Sequence, residues 1–254
     1  MPQPLRKAFP KFKGPLHADG ASYRADLAQH AMRLVTDWTN LDVILSRVFV
    51  CMLGSNPKPG ALIFNALSGT NAKRDALGAV ARHALTPEQH KLLMAIMSIY
   101  GKVSKQRNRV VHDVWMWSPE LPDVVLLCDP ADFMLHHATV IEQRSAPVSS
   151  APIDDQKGTA IFPGISIYKQ DDLHAIRSRI SSLDNWLRRF LLAIDWAPVN
   201  QTTLTPDLVL QRLSATPELR VILDRDERSL RSTQPVRLQS PDTTPPQSPE
   251  DGPA

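Results

Sequence analysis

A single apolar stripe between residues 27 and 52 constrains the fold of this chain more than any other feature. Apolar side chains recur there at a 4-3-4-3-4-3-4 spacing, namely at Leu27, Ala31, Leu34, Trp38, Leu41, Leu45, Val48 and Met52. On an α-helix this spacing places all of them on one face. The pattern predicts one long helix that ends near Gly54 and whose apolar face must be covered by another element.

Three further segments have helical patterns. Thr86 and Gln89 have the spacing of a capping box, which predicts a helix from there to about His112. Alternating steps of three and four between apolar residues predict a last long helix over residues 171 to 194, and a shorter one is expected over 71 to 84. Such striped helices bury their faces against one another or against a second copy. The predicted fold class is therefore mainly α, an antiparallel helical bundle.

The period of the pattern changes after residue 112, where short apolar runs are bounded by proline and polar residues. Strands are predicted at 114 to 117, 124 to 127, 134 to 141 and 161 to 168, with a loop at 145 to 158. The bundle should thus carry a small β-hairpin or meander as a β-rich insertion at residues 114 to 168.

Both ends of the chain have compositions that do not form a core. Residues 1 to 20 hold four prolines and four basic residues, and are predicted to form a basic, extended and disordered arm. Residues 21 to 195 make up the helical domain, followed by an extension at 196 to 231 with a short charged helix near its end. Residues 232 to 254 contain six prolines and are predicted to be a disordered tail.

The overall composition excludes several classes of protein. A net charge of +3 over 254 residues does not by itself mark a nucleic-acid-binding protein, so such a function must rest on local clusters of charge. Cys51 and Cys128 lie among apolar neighbours, which favours buried thiols over a disulfide framework or a metal site. No secretory signal or membrane-spanning segment is visible, so a cytoplasmic protein is expected. No metal or cofactor is expected, because no Cys or carboxylate cluster at ligand spacing lies near the histidine pair His136 and His137.

The segment KQRNRVVHDVW, residues 105 to 115, lies at the predicted C-terminal end of the second long helix. Asn108 and His112 are four residues apart and therefore stack on one helix face. With Val103 at the centre of the apolar stripe, Arg107 lies only about 40° away from it around the helix. An arginine placed there must find a partner or extend to the helix end, because a buried unpaired guanidinium is costly.

The outward side of the same helix is cationic. Lys102, Lys105 and Arg109 lie there, and no acidic residue occurs between residues 91 and 112. Such a surface suits a phosphate backbone. A cationic helix C-terminus is also favoured by the helix dipole, so a solvated helix end accounts for these residues equally well.

Arg107, Asn108 and His112 match the Arg-Asn-x-x-x-His motif of the HEPN superfamily, and the position near the end of a long helix also resembles that family. The resemblance extends over residues 20 to 195 and does not explain the insertion or the tails. It implies an all-α homodimer in which the motifs of two protomers form one composite site. Many members are metal-independent endoribonucleases of toxin–antitoxin or antiviral systems.

The chemistry implied for these residues is cleavage of single-stranded RNA by its own 2′-hydroxyl. His112 would serve as base or acid, since a histidine can do either near neutral pH. Arg107 would hold phosphate oxygens with its forked guanidinium, and Asn108 would orient His112 or donate to the phosphate. The expected RNA-binding residues are Lys102, Lys105 and Arg109.

The expected partners are RNA, a second copy of the chain, and an antitoxin or other regulatory protein. A non-catalytic function is the alternative hypothesis. In that alternative the domain is a helical interaction or nucleotide-sensing module, and Arg107 and His112 are relics of a lost activity or stabilise the dimer.

Overall fold

A computed structural model describes residues 2–54, 57–145, 164–195 and 205–233. Most of these residues are helical, and the strands form one small antiparallel sheet, which confirms the mainly α class. The elements in chain order are β1 (Gln3–Pro4), α1 (Leu5–Ala8), β2 (His17–Ala18), α2 (Gly20–Tyr23), α3 (Ala25–Leu53), α4 (Pro57–Ala66), α5 (Gly69–Ala84), α6 (Pro87–His112), β3 (Val114–Trp117), β4 (Val125–Cys128), α7 (Pro130–Ser145), β5 (Ser166–Tyr168), α8 (Gln170–Ile194), α9 (Pro206–Ser214) and α10 (Pro217–Thr233).

The long helix α3 is the centre of the main core. Its apolar stripe is buried as predicted, with Leu34, Leu41 and Leu45 fully covered. Helix α8 packs along it, while α4, α5 and α6 also contact it. The helix ends at Gly54, whose φ of 60° is a left-handed conformation that glycine adopts without steric cost. None of the described helices is long and apolar enough to cross a membrane.

Helix α6 carries the Arg-Asn-x-x-x-His segment and begins at the predicted capping box. The Thr86 hydroxyl accepts a hydrogen bond from the Gln89 backbone N–H at 3.3 Å, and the Gln89 side chain accepts one from the Thr86 N–H at 3.0 Å. The helix runs 26 residues to His112, as expected. Its buried face, which includes Ile96 and Val103, fixes the rotation of the helix and so the direction of every side chain in the motif.

The N-terminal arm is ordered, so the prediction of a disordered extension at residues 1 to 20 was wrong. The sheet has the order β1-β5-β4-β3-β2, and the arm supplies both of its edge strands. Leu5 and Phe12 are buried in a second, smaller core beneath the sheet. Proline is tolerated on an edge strand, where its missing N–H is not needed. Two apolar side chains thus hold a segment whose composition alone reads as disordered.

The strand predicted at residues 134 to 141 was also wrong, because this region belongs to the helix α7. The Asp129 carboxylate accepts a hydrogen bond from the Ala131 N–H at 2.8 Å, and Pro130 occupies the first helical position. Met134 and Leu135 are exposed, so the apolar run does not mark a buried strand. Strand β5 lies within the predicted 161 to 168, and residues 146–163, with most of the predicted loop, are outside the described residues.

Two further helices, α4 and α9, were missed, and α10 was anticipated. The helices α4 and α9 each begin at a proline in a segment read as connecting chain, and the Thr205 hydroxyl caps α9 by accepting from the Leu208 N–H. Helix α10 confirms the short charged helix expected near residues 216 to 230. The predicted tail lies outside the described residues from residue 234 onward.

Two histidines face each other across the pair of helices α3 and α8. The rings of His30 and His174 have centroids 4.5 Å apart, and the Gln170 amide nitrogen lies 3.4 and 3.3 Å from their Nε2 atoms. Burial lowers the pKa of His30 below its ordinary value, and the neighbouring His174 and Arg33 lower it further. The folded protein therefore takes up a proton at His30 less readily than the unfolded chain does.

This difference predicts a pH-dependent loss of stability. The free energy of unfolding should fall as the pH drops below about 6.5, where a histidine in the unfolded chain becomes protonated. His30→Gln should therefore lose less thermal stability than the wild type between about pH 7.5 and pH 5.5. Thermal unfolding at both pH values measures this, and His83→Gln, which alters an exposed histidine on α5, is the matched control. An equal pH dependence in His30→Gln and wild type would contradict the prediction.

Candidate functional site

Arg107 lies on the inner side of α6, as the helical geometry predicts. Its guanidinium carbon is 5.9 Å from the centre of the Trp38 ring, and that ring stacks on Tyr100 with centroids 4.8 Å apart. Its Nη1 donates a hydrogen bond to Asn108 Oδ1 at 3.1 Å. The Nε atom is buried and has no hydrogen-bond partner within the described part of the chain. The guanidinium thus lies over the aromatic face, with its Nη1 turned toward Asn108.

Asn108 and His112 are exposed on the outer face of the same helix. They are separated by one helical turn, so their side chains follow one another along that face. The C-terminal end of α6 is held in place, because the Trp115 indole donates to the Val110 carbonyl at 2.8 Å. The three motif residues thus lie around the last two turns of a fixed helix.

Arg109 has a different environment from the one predicted. Its Nε donates to Asp113 Oδ2 at 3.1 Å, and its two Nη atoms donate to the Ser166 hydroxyl at 2.9 Å and the Gly164 carbonyl at 3.4 Å. Burial raises the pKa of Asp113, and the Arg109 guanidinium opposes that rise. The side chain therefore joins the end of α6 to β5. That Arg109 binds RNA stays a prediction.

The Arg109→Gln variant should be less stable than the wild type. It leaves the Asp113 carboxylate, whose side chain is 8% exposed, without its cation and removes the hydrogen bonds to Ser166 in β5 and to Gly164 just before that strand. Because Arg109 itself is partly solvated, we expect a loss of about 1 to 2 kcal/mol in the free energy of unfolding. Chemical denaturation measures it, with Lys105→Gln as a control at an exposed lysine of the same helix. Equal stability of the two variants would refute this role.

Two of the predicted RNA-binding residues, Lys102 and Lys105, line a cleft together with Asn108. The cleft lies between α6 and the beginning of α5 and has a volume of about 590 Å³. Its opposite wall consists of residues for which the sequence predicts no site, namely Ser68, Gly69, Thr70, Asn71 and Arg74. His112 does not line the cleft. It lies one turn beyond Asn108 on the same face of α6, just past the end of the cleft.

Polar contacts beneath the cleft join α5 and α6 to α3. Thr70 and Ser104 share a hydrogen bond of 2.7 Å between their hydroxyl oxygens. One level deeper, Asp42 accepts a hydrogen bond from the Tyr100 hydroxyl at 3.0 Å and binds the Lys73 ammonium at 2.8 Å. Burial, followed by the nearby Asp42 charge, raises the pKa of Tyr100, so its hydroxyl stays a hydrogen-bond donor. These contacts fix the width of the cleft.

Within the described residues, no group of three or more His, Cys, Asp or Glu side chains is placed to hold a metal ion. Comparisons of the chain with protein-family models, with curated proteins and with solved structures find no match. The candidate site therefore rests on its own geometry.

Proposed function

We propose that this protein is a HEPN-like endoribonuclease that cleaves single-stranded RNA without a metal ion, as a homodimer in the cytoplasm. One observation carries the proposal. The Arg107 guanidinium reaches Asn108 at the edge of a cationic cleft, and His112 lies one turn further along the same helix face. A histidine can transfer the protons that phosphodiester cleavage moves, and a cation with a neutral donor can stabilise the charge that develops on the phosphate.

The charge of Arg107 supports a role toward phosphate. No carboxylate within the described residues forms an ion pair with it, and its contacts are the Trp38 ring and the neutral Asn108 amide. A partly desolvated guanidinium without a counter-ion binds an anion more strongly than a solvated one does. The buried Nε leaves a further donor without a protein acceptor in this part of the chain.

The proposed reaction is an internal transfer that consumes no water. The 2′-oxygen attacks phosphorus, the bond from phosphorus to the 5′-oxygen breaks, and a 2′,3′-cyclic phosphate and a 5′-hydroxyl are formed. The 2′-hydroxyl gives its proton to a base, and an acid returns a proton to the leaving 5′-oxygen. Each chain contributes one His112, so His112 of a second copy would complete the acid–base pair. Arg107 would stabilise the charge that develops on the phosphate.

The direct experiment incubates the purified full-length chain with single-stranded RNA in the presence of EDTA. We expect cleavage products that end in 2′,3′-cyclic phosphate and 5′-hydroxyl groups, together with a dimer in sedimentation or light-scattering measurements. Absence of cleavage would reject the enzyme. The biological setting proposed with it is a toxin or antiviral defence role in which an antitoxin or other regulatory protein restrains the activity.

A second function, a nucleotide-sensing module without catalysis, is favoured by one observation. The cleft of about 590 Å³ has the size of a pocket for a small ligand, and its lining is mostly polar. Calorimetric titration with mononucleotides distinguishes the two proposals. Tight binding of a mononucleotide without cleavage of RNA would support the sensor over the nuclease.

A further inference from the structure

We propose that the cleft between α5 and α6 binds the backbone phosphates of the RNA strand next to the bond that is cut, and that Arg74 on α5 is one of its binding residues. The choice of RNA as the ligand rests on the proposed function. The inference that the cleft binds phosphate groups does not rest on it, because it follows from the residues that line the cleft.

The lining of the cleft is cationic. Three of its residues, Arg74, Lys102 and Lys105, are cationic, and none of the lining residues is acidic. Lys102 and Lys105 are exposed and form no ion pair with the described residues. Three positive charges around one concave surface repel each other, and a bound phosphate group relieves that repulsion.

Arg74 also contacts its sequence neighbour Asp75, whose Oδ1 accepts from Nε and Nη2 at 3.3 and 3.2 Å. Both side chains are well exposed, at 42% and 69%, and such a pair on the surface contributes little free energy. A phosphate in the cleft can therefore replace this contact at low cost, using the same forked group.

The backbone at the start of α5 adds to the positive potential of the cleft. Gly69 has a φ of 81°, which lets the chain turn into the helix there. The hydrogen bond between Thr70 and Ser104 fixes this turn against α6. The Ser68 side chain forms no capping hydrogen bond, and the first N–H groups of a helix carry partial positive charge. These groups lie on the same wall as Arg74.

The cleft leads toward the motif, so an RNA strand bound in the cleft would pass beside the motif residues. Lys105, Asn108 and His112 succeed one another on one face of α6, over a distance of about 10 Å along the helix axis. A phosphate held by Lys105 and Arg74 would thus place the following part of the strand beside Asn108 and His112. The cleft positions the strand, and the motif acts on it.

The test measures binding separately from cleavage. The ligand is a fluorescein-labelled single-stranded oligoribonucleotide with a 2′-O-methyl group at every position, which lacks the nucleophile and cannot be cut. Binding to the full-length protein is followed by fluorescence anisotropy at several salt concentrations. The cleft variant is Arg74→Gln/Lys102→Gln/Lys105→Gln. The matched control, Arg82→Gln/Arg189→Gln/Arg212→Gln, removes three exposed cations outside the cleft.

We expect the cleft variant to bind at least about tenfold more weakly, and the slope of log affinity against log salt to decrease in magnitude by about 2, since each phosphate contact to a single strand contributes about 0.7. The control should change affinity much less and keep the slope. Thermal unfolding verifies that both variants are folded. The single variant Arg74→Gln gives the same comparison of affinity and salt slope with only one residue changed. An unchanged salt slope in the cleft variant would overturn the proposal.

Two further measurements distinguish an RNA strand from a mononucleotide as the ligand, and the binding cleft from the nuclease activity. AMP and ATP are added as competitors, and an oligonucleotide that binds no tighter than AMP would overturn the assignment to an RNA strand. Binding by His83→Ala, which removes an exposed histidine outside the cleft, should equal that of the wild type. If the wild type cuts no RNA, the nuclease is rejected. If the cleft variant then still binds the oligonucleotide more weakly than the wild type does, the phosphate-binding cleft is supported.

Discussion

Replacing His112 by alanine is expected to slow RNA cleavage by about 10²- to 10⁴-fold, the usual effect of removing a general acid or base. The side chain is exposed at the end of α6 and forms no hydrogen bond or ion pair with the described residues. Its removal should therefore change the free energy of unfolding by no more than about 0.5 kcal/mol. Single-turnover cleavage rates and chemical denaturation of the same preparation measure the two effects.

Two other variants make this prediction specific. His83→Ala removes an exposed histidine from α5 and should cleave at the wild-type rate. Arg107→Lys keeps a positive charge but loses the forked group that reaches Asn108, so it should also be slow. Cleavage by His112→Ala at the wild-type rate would show that the nuclease activity does not depend on this residue. The composite site would then have to be abandoned.

The long helices could be predicted because their signals are local. The stripe of α3 and the capping box of α6 depend on residues within one or two turns of each other. The rotation of α6 follows from its buried stripe, so the inward position of Arg107 could also be anticipated. A motif on a regular helix is thus placed well by sequence reasoning alone.

The parts that could not be predicted depend on contacts between distant residues. Gln3 pairs with Ile167 across the sheet, and no local pattern in a proline-rich arm indicates such a partner. Arg109 contacts Ser166 from 57 residues away, so its structural role was invisible in the sequence. The wall of the cleft formed by Arg74 lies on another helix than the motif. A cluster of cations around α5 and α6 could be recognised only after both helices were placed.

The shape of the cleft depends in turn on a polar contact deeper in the bundle. The Asp42 carboxylate on α3 is the common acceptor for the Lys73 ammonium on α5 and the Tyr100 hydroxyl on α6. Lys73 lies one turn after Thr70, which lines the cleft, and Tyr100 lies beneath the Trp38 ring that contacts Arg107. One carboxylate therefore links the helix of the motif to the helix of the opposite wall.

The Asp42→Ala variant is expected to lose about 2 to 4 kcal/mol in the free energy of unfolding, because two donors lose their acceptor at once. Tyr100 is 1% exposed, so its hydroxyl cannot turn to water, and the Lys73 side chain is only 16% exposed. The better helix propensity of alanine offsets about half a kcal/mol of this loss. Urea denaturation of the full-length chain measures the difference from the wild type.

Asp37→Ala is the matched control, since it makes the same change on the same helix. Within the described residues, Asp37 binds Arg177, which is 38% exposed, and a pair of this kind contributes up to about 1 kcal/mol. Asp42→Asn should lie between the two, because the amide oxygen still accepts from Tyr100 while the charge opposite Lys73 is lost. If Asp42→Ala were no less stable than Asp37→Ala, the three helices would be held by apolar packing alone.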